Sequence, residues 1–237
     1  MSELQGKKML FVGGSSGIGL AAAKASHESG AVVTIASRSA RKLEAAAATI
    51  GNPIDTGIVD VTDDASVSEF LNRRGSFDHV VVTAADVVVN PIGEISVHDA
   101  QAAMDSKFWG IFRIAKAAKI EPGGSLNFVA GFRSQRPAPG LALMSAINAA
   151  IEGLTRGLAL DLRPVRVNAV SPAMVDTPLW ASLDPKNYEA LLKRVSSTYP
   201  AGTVGRPEDV AKALLFLASN PYATGTVLTL DGGASLV

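Results

Sequence analysis

The residues of this sequence best suited to binding a ligand form a glycine-rich loop near the N-terminus. Gly13-Gly14-Ser15-Ser16-Gly17-Ile18-Gly19 follows the apolar run Lys8–Val12 and opens into a helical pattern. A helix N-terminus presents unpaired N–H groups, and glycines let the backbone approach an anion that a Cβ atom would hold away. The spacing G-x-x-x-G-x-G after a first strand is typical of a dinucleotide-binding loop. The expected pyrophosphate ligands are Gly13, Ser15, Ser16, Gly17, Ile18 and Gly19.

A second position favours one kind of dinucleotide. Nineteen residues after Gly19, where a NAD-binding fold places an acid on the ribose 2′-hydroxyl, this chain has Arg38. A guanidinium can hold a 2′-phosphate through charge-assisted hydrogen bonds, and Ser37 and Ser39 add donors beside it. We therefore expect NADP(H) to be preferred over NAD(H), with a solvated surface arginine as the alternative interpretation.

The same loop also fits a different class of protein. Gly13-x-Ser15-x-Gly17 matches the nucleophile elbow of serine hydrolases, which needs an acid and then a histidine downstream. Only a pairing such as Asp60 with His98 keeps that order. The hydrolase hypothesis leaves Gly19 unexplained, so the dinucleotide interpretation is favoured.

Composition excludes several other functions. The chain has 237 residues, 47% of them hydrophobic, with 22 Lys+Arg balanced by 22 Asp+Glu and no Cys. Without cysteine there is no disulfide framework, thiolate zinc site or cysteine nucleophile, and we expect no metal centre. The basic residues form no stripe that could neutralise nucleic acid. No export signal or membrane-spanning run is visible, so a cytoplasmic location is expected.

The hydrophobic pattern alternates between buried strands and helices. Continuously apolar runs indicate strands of a parallel sheet at Lys8–Val12, Val32–Ala36, Gly57–Val59, His79–Thr83, Leu126–Val129, Val165–Val170 and Val227–Leu230. Helical spacing occurs at Gly19–Gly30, Ala40–Ile50, Asp64–Arg73, His98–Lys119, Leu141–Leu162 and Pro207–Ser219. This predicts one doubly wound Rossmann-type α/β domain over residues 1–237, with helices on both faces of the sheet. Residues 178–199 interrupt the alternation and are predicted to form a substrate lid.

Several further motifs give the chain a recognisable likeness. They are Asp60-Val61, Arg166-Val167-Asn168, Ser171-Pro172, Gly205-Arg206-Pro207-Glu208-Asp209 and Asp231-Gly232-Gly233. Together with the glycine loop, and in this order, they resemble the short-chain dehydrogenase/reductase family over almost the whole chain. The resemblance implies nicotinamide chemistry, with Asp60 and Val61 at the adenine and Ala84 along the ribose path. It places Pro172, Val175 and Thr177 near the nicotinamide.

The resemblance fails at the residues that carry the family's chemistry. Family members use a Tyr as general acid, a Lys four residues later, a Ser after the fifth strand and an Asn in the preceding helix. Alignment on the neighbouring motifs puts Met144, Asn148, Gly131 and Lys107 at those positions. No displaced Tyr-x-x-x-Lys exists, because Tyr188, Tyr199 and Tyr222 are followed four residues later by Leu192, Thr203 and Thr226.

The remaining chemistry leaves two hypotheses open. Met144 has no proton to give, yet hydride transfer belongs to the cofactor, so an oxidoreductase with a rebuilt site is one interpretation. Lys107 is its candidate proton source, although a lysine on a helix more often extends to solvent. Ser145 and Ser134 are weaker candidates, Asn148 can still donate to ribose hydroxyls, and Arg133 and Arg136 could bind an anionic substrate.

The other interpretation is a catalytically silent protein that binds the nucleotide as a sensor or structural subunit. By analogy with the family we expect a homodimer or homotetramer.

Overall fold

The structure, a computed structural model, describes residues 3–86, 89–181 and 183–237 and confirms a doubly wound α/β domain. Within them one parallel sheet contains β1 (Lys8–Val12), β2 (Val32–Ser37), β3 (Asp55–Ile58), β4 (Ser76–Val82), β5 (Lys119–Val129), β6 (Arg166–Pro172) and β7 (Val227–Leu230). Their order is β3-β2-β1-β4-β5-β6-β7. The order reverses between β1 and β4, and open α/β sheets bind ligands beyond the carboxyl ends of the strands at such a point.

The apolar runs predicted all seven strands, but the start of β5 was wrong. The strand begins at Lys119 rather than Leu126, and Lys119 and Ile120 pair with Ser76 and Phe77 of β4 before the register shifts. This added half is polar and contains Pro122, Gly123 and Gly124. Its side-chain contact to β4 is polar, between Ser76 Oγ and the Glu121 carboxylate, so no hydrophobic pattern marks it.

Helices cover both faces of the sheet. They are α1 (Gly17–Glu28), α2 (Ala40–Ile50), α3 (Asp64–Asn72), α4 (Val97–Met104), α5 (Gly110–Ala117), α6 (Ala142–Asp161), α7 (Pro185–Thr198) and α8 (Pro207–Ser219). One hydrophobic core lies under α1, α2 and α8, and the other under α3 to α6. No helix among the described residues is long and apolar enough to cross a lipid bilayer.

Two helix predictions need correction at the places that matter for the site. Helix α1 begins at Gly17, not Gly19, so the glycine loop contributes its last residues to the first helical turn. The single helix predicted over His98–Lys119 is divided into α4 and α5 by a π-helical segment, Asp105–Trp109. Such segments insert a residue into a helix and occur often at functional sites.

The segment predicted to be a lid consists of a short 3₁₀ turn, Pro178–Trp180, followed by α7. Trp180 Nε1 donates to the Val175 carbonyl at 3.0 Å, and the Tyr188 hydroxyl donates to Asp176. Both contacts anchor the segment to the chain that follows β6. Residue 182 lies outside the described part, and the lid role stays a prediction.

Candidate active site

The glycine loop is packed so closely that side chains would not fit at two of its positions. Gly13 has a φ of +89°, and a Cβ atom there would lie 2.6 Å from Ala84 N. At Gly19 a Cβ atom would lie 2.3 Å from the Gly13 carbonyl oxygen and 2.5 Å from Thr83 Oγ1. Glycine therefore lets α1 pack directly against the ends of β1 and β4.

This packing gives a first testable prediction. Gly19→Ala should lower the free energy of unfolding by about 1–3 kcal/mol, because the new methyl group overlaps the Gly13 backbone. Gly153→Ala in α6 is the matched control, since a Cβ atom at Gly153 meets nothing within 4 Å. That control should be neutral or stabilising, by up to about 1 kcal/mol. Urea unfolding of both variants checks the result, and equal stabilities would contradict the described loop.

The first turn of α1 leaves hydrogen-bond donors free for an anion. Leu20 N bonds the Ser16 carbonyl oxygen, so the N–H groups of Gly17, Ile18 and Gly19 precede the first helical hydrogen bond. The side chain of the N-cap, Ser16, makes no capping bond, and Ser15 and Ser16 keep their hydroxyls free of protein partners in the described structure. The loop therefore fits a pyrophosphate, as its sequence predicts.

Thr177, in the chain that follows β6, lies next to Gly17 of the glycine loop. A Cβ atom on Gly17 would lie 3.4 Å from Thr177 Cγ2. Thr177 follows Val175, and Pro172 ends β6. The structure thus brings the predicted pyrophosphate loop and one of the predicted nicotinamide contacts together.

Arg38 follows β2 but is not free. Its Nη2 donates to Asp86 Oδ1 at 3.0 Å, with both side chains more than half exposed. Ser37 Oγ accepts from Ser39 N, and Ser39 is the N-cap of α2 through Lys42 N. Such an exposed ion pair contributes about 0–1 kcal/mol, so a 2′-phosphate can displace Asp86 from Arg38.

The predicted adenine contacts lie at the end of β3. Asp60 accepts hydrogen bonds from Thr62 N at 3.0 Å and Thr62 Oγ1 at 2.8 Å, and the backbone bond is the main cause that lowers the pKa of its carboxyl. Val61 is buried, while Ala84 follows β4 beside Gly13. Asp60 is therefore ionised and held in place at neutral pH.

The π-helical segment turns two successive side chains toward the strand ends. Ser106 Oγ accepts from Asp86 N at 2.8 Å, which fixes the residue that pairs with Arg38. Lys107 Nζ donates to the Ala130 carbonyl oxygen at 3.0 Å and to Asn148 Oδ1 at 2.7 Å. The segment thus connects the loops after β4 and β5 to α6.

Lys107 is the buried cation of the site. Its side chain does not reach solvent, contrary to the usual behaviour of a helical lysine, and burial lowers its pKa to about 8. No carboxylate pairs with it among the described residues. At neutral pH it therefore remains mostly an ammonium group with two neutral acceptors.

Gly131, Met144 and Asn148 lie around the same point. A Cβ atom on Gly131 would lie 2.7 Å from Asn148 Nδ2, so the glycine makes room for the amide. Met144 is buried and packs in the core under α3 to α6. Lys107, Gly131 and Asn148 thus lie close together, and Met144 precedes Asn148 by one turn of α6. That these four residues stand at the family's catalytic positions stays a prediction.

The weaker candidates for proton donation and substrate binding form hydrogen bonds within the protein. Ser145 Oγ donates to the Leu141 carbonyl oxygen, and Ser134 Oγ contacts the buried Glu152 carboxylate. Arg136 donates to the Ala234 carbonyl oxygen, and Arg133 to the Arg136 carbonyl oxygen. These contacts account for all four side chains without a ligand.

The hydrolase hypothesis is not supported by the geometry. His98 is 89% exposed on α4, and its Nδ1 lies 3.6 Å from Asp99. Asp60 is held by Thr62, and neither side chain bonds Ser15 within the described ranges. The acid and the histidine therefore do not form a catalytic triad with Ser15.

Three residues of the site were missed by sequence reasoning. Thr83 Oγ1 donates to the Gly13 carbonyl oxygen, and Asp86 accepts from Arg38. Ser106 Oγ in turn accepts from the backbone N–H of Asp86. Asp86 is 48 positions from Arg38, so no local spacing connects the two. Thr83 and Asp86 flank Ala84, and their place just after a predicted strand is the signal that could have identified them.

Comparisons with known proteins agree with this geometry. A family model described as enoyl-(acyl carrier protein) reductase matches residues 12–235. The short-chain dehydrogenase/reductase malC of Malbranchea aurantiaca is 32% identical over 253 residues, which cover 98% of this chain and 96% of malC. The 3-oxoacyl-[acyl-carrier-protein] reductase FabG of Chlamydia trachomatis is 31% identical over 247 residues, which cover 97% of this chain and 98% of FabG.

Solved structures show the same likeness. The MalC reductase/Diels-Alderase of Malbranchea aurantiaca superposes with a TM-score of 0.92 at 31% identity, over 100% of this chain and 99% of that one. A small-chain dehydrogenase in complex with NADPH gives a TM-score of 0.84 at 31% identity, over 98% of this chain and 100% of that one.

Proposed function

The chain belongs to the short-chain dehydrogenase/reductase family, and on that premise we propose that it is an oxidoreductase that uses NADP(H) at an atypical active site. The observation that carries the proposal is the glycine loop at the reversal of strand order, with its close packing and its free helix donors. The relatives are named reductases and dehydrogenases, which supports hydride transfer.

The residues present fit the nucleotide along the whole sheet edge. The loop holds the pyrophosphate, Asp60 and Val61 border the adenine, and Ala84 borders the ribose path. The amide of Asn148 donates to a ribose hydroxyl, and the chain after β6 meets the nicotinamide. The residues assigned to the nucleotide are Gly13, Ser15, Ser16, Gly17, Ile18, Gly19, Ser37, Arg38, Ser39, Asp60, Val61, Ala84, Asn148, Pro172, Val175 and Thr177.

When bound, the nucleotide supplies or accepts the hydride, and the protein positions it and its substrate. Lys107 and Asn148 take the place that the family gives to its proton relay. Met144 cannot act as an acid, so these two residues provide the polar groups for the substrate. A homodimer or homotetramer stays a prediction, which the exposed side chains of Trp109 and Phe112 support. A cytoplasmic location also stays a prediction.

Calorimetric titration of the purified protein with NADPH and with NADH tests the proposal. Binding of NADPH, and weaker binding of NADH, is expected because Arg38 is the cation available to a 2′-phosphate. Failure of both nucleotides to bind would reject the proposed function.

A variant at Arg38 measures what its guanidinium group contributes to NADPH binding. Arg38→Ala should weaken NADPH binding by about 10- to 100-fold through loss of charge-assisted hydrogen bonds, and leave NADH binding nearly unchanged. Arg41→Ala, an exposed arginine in the first turn of α2, is the control and should behave like the wild type. Equal losses for NADPH and NADH would show that Arg38 does not read the 2′-phosphate.

A second candidate function is supported by one observation, the buried thioether of Met144 at the position of the family's acid. In this alternative the protein binds the nucleotide but performs no hydride transfer. A defined substrate whose reduction consumes NADPH in a purified preparation would exclude it.

A further inference from the structure

The guanidinium of Arg38 has two carboxylates near it. Arg38 Nη2 donates to Asp86 Oδ1 at 3.0 Å. Asp60 is within electrostatic reach as well, because the pKa of its carboxyl is lowered first by the backbone N–H of Thr62 and further by the charge of Arg38. The cation that is available to a 2′-phosphate is therefore already balanced by acids of the chain itself.

Asp86 has a fixed backbone and an exposed side chain. Its N–H donates to Ser106 Oγ at 2.8 Å, and Ser106, in the π-helical segment, is only 4% exposed. The Asp86 side chain is 56% exposed, and the bond to Arg38 is the one hydrogen bond that it accepts from the described residues. The carboxylate can thus turn away from Arg38 while the backbone of Asp86 stays in place.

Of the two acids, Asp86 is the one that can change partners. Asp60 Oδ1 accepts from Thr62 N at 3.0 Å and from Thr62 Oγ1 at 2.8 Å, which holds that carboxylate in place. Asp86 Oδ2 accepts no hydrogen bond within the described part of the chain, so it remains available to a ligand hydroxyl.

Asp86 also lies next to the region assigned to the ribose. It follows Ala84 by two residues, and Ala84 lies against Gly13 of the glycine loop. Folds that bind NAD hold the ribose 2′-hydroxyl with an acid after the second strand, where this chain has Arg38. The structure brings an acid to Arg38 from a different element, the loop that follows β4.

Resting on the proposed function, we propose that Asp86 limits the preference for NADP(H) over NAD(H). Its carboxylate competes with the 2′-phosphate for Arg38, and it accepts a hydrogen bond from the 2′-hydroxyl of NAD(H). A phosphate displaces it, because an exposed ion pair is weak and a guanidinium binds phosphate through charge-assisted hydrogen bonds. The chain can then bind both nucleotides, and Asp86 keeps the difference between their affinities small.

Calorimetric titration of Asp86→Ala tests the proposal, since the two affinities should change in opposite directions. NADPH binding should tighten by about 3- to 10-fold, because no carboxylate occupies Arg38 or repels the 2′-phosphate. NADH binding should weaken by about 3- to 10-fold, because the 2′-hydroxyl loses its acceptor. A merely structural role would change both affinities in the same direction. Asp161→Ala, at an exposed acid that ends α6, is the matched control and should bind as the wild type does.

Two nucleotides without nicotinamide locate the effect at the adenosine end. Asp86→Ala should tighten the binding of adenosine 2′,5′-bisphosphate and weaken that of ADP, as it does for NADPH and NADH. In the Arg38→Ala background the gain for the bisphosphate should shrink, because no guanidinium remains for the carboxylate to occupy. Equal gains in both backgrounds would show that Asp86 does not compete for Arg38.

The ratio of the NADPH and NADH affinities decides between the outcomes. It should rise by about 10- to 100-fold in Asp86→Ala, the product of the two expected changes. If the wild type binds NADPH and this ratio does not rise in Asp86→Ala, the inference is wrong and the proposed function stands. If neither nucleotide binds to the wild type, the proposed function is rejected and the inference with it.

Discussion

Lys107→Met is expected to remove a loss of stability of about 3 kcal/mol that the wild type undergoes as the pH falls from 10.5 to neutral. The size of this loss follows from the lowering of the Lys107 pKa by burial. The unfolded chain has the ordinary lysine pKa of 10.5, and the folded chain has a pKa of about 8. Above 10.5 both states hold a neutral amine, and the group adds no pH dependence. As the pH falls from 10.5 to 8, only the unfolded state takes up the proton, so the folded state loses stability.

Below pH 8 the loss is complete and constant. Methionine cannot take up a proton. The free energy of unfolding of Lys107→Met should therefore rise relative to that of the wild type by about 1.4 kcal/mol for each unit by which the pH falls from 10.5 to 8. The unpaired acceptors Asn148 Oδ1 and Ala130 O add a cost that does not vary with pH. Urea unfolding of both proteins at several pH values separates the two effects. Lys116→Met is the control, and a stability difference for Lys107→Met that is independent of pH would show that Lys107 is solvated.

Reinstating the family's proton relay is expected to raise the rate of ketone reduction by about 10²- to 10⁴-fold, the contribution of a positioned general acid. The variant combines Lys107→Asn, Gly131→Ser, Met144→Tyr and Asn148→Lys. The four changes belong together, because a Cβ atom on Gly131 would lie 2.7 Å from Asn148 Nδ2. Gly131→Ser alone should therefore disturb the site rather than improve it.

The measurement is NADPH-dependent reduction of cyclohexanone, with thermal unfolding and NADPH calorimetry to verify the fold and the loop. The control carries Phe in place of Tyr at position 144 and keeps the other three changes, so it lacks only the phenol hydroxyl. It should show no gain in rate. Equal rates for the Tyr and Phe variants would mean that position 144 is not where the family's acid lies.

The sequence was sufficient for the architecture because burial on both faces leaves a direct pattern. Val80, Val81 and Val82 are almost fully inaccessible, and their continuous apolar run indicated a central parallel strand. The polar first half of β5 left no such pattern. The π-helical segment was also invisible, because a single inserted residue hardly alters helical spacing.

The candidate site was predictable only in part. The glycine loop and Arg38 could be proposed from the sequence because each is recognised by residues at a fixed distance from a strand end. The hydrogen bond between Lys107 and Asn148 joins residues 41 positions apart, and the ion pair of Arg38 with Asp86 spans 48. Contacts of this kind depend on how the strands and helices pack together. The burial of Lys107 in particular opposes the usual preference of a lysine for solvent.

The central claim is that the glycine loop and the Lys107–Asn148 pair form one active site. Para-nitrophenol is a suitable probe because its anion imitates a carbonyl oxygen that gains negative charge during hydride transfer. Its titration in the presence and absence of saturating NADP⁺ tests the claim most directly, because occupants of one site influence each other's affinity. We expect NADP⁺ to tighten phenolate binding by about tenfold, and phenolate to tighten NADP⁺ binding by the same factor. This coupling should vanish in Lys107→Met. Phenolate affinity that is unaffected by NADP⁺ would contradict the account, because the loop and the pair would then act as separate sites.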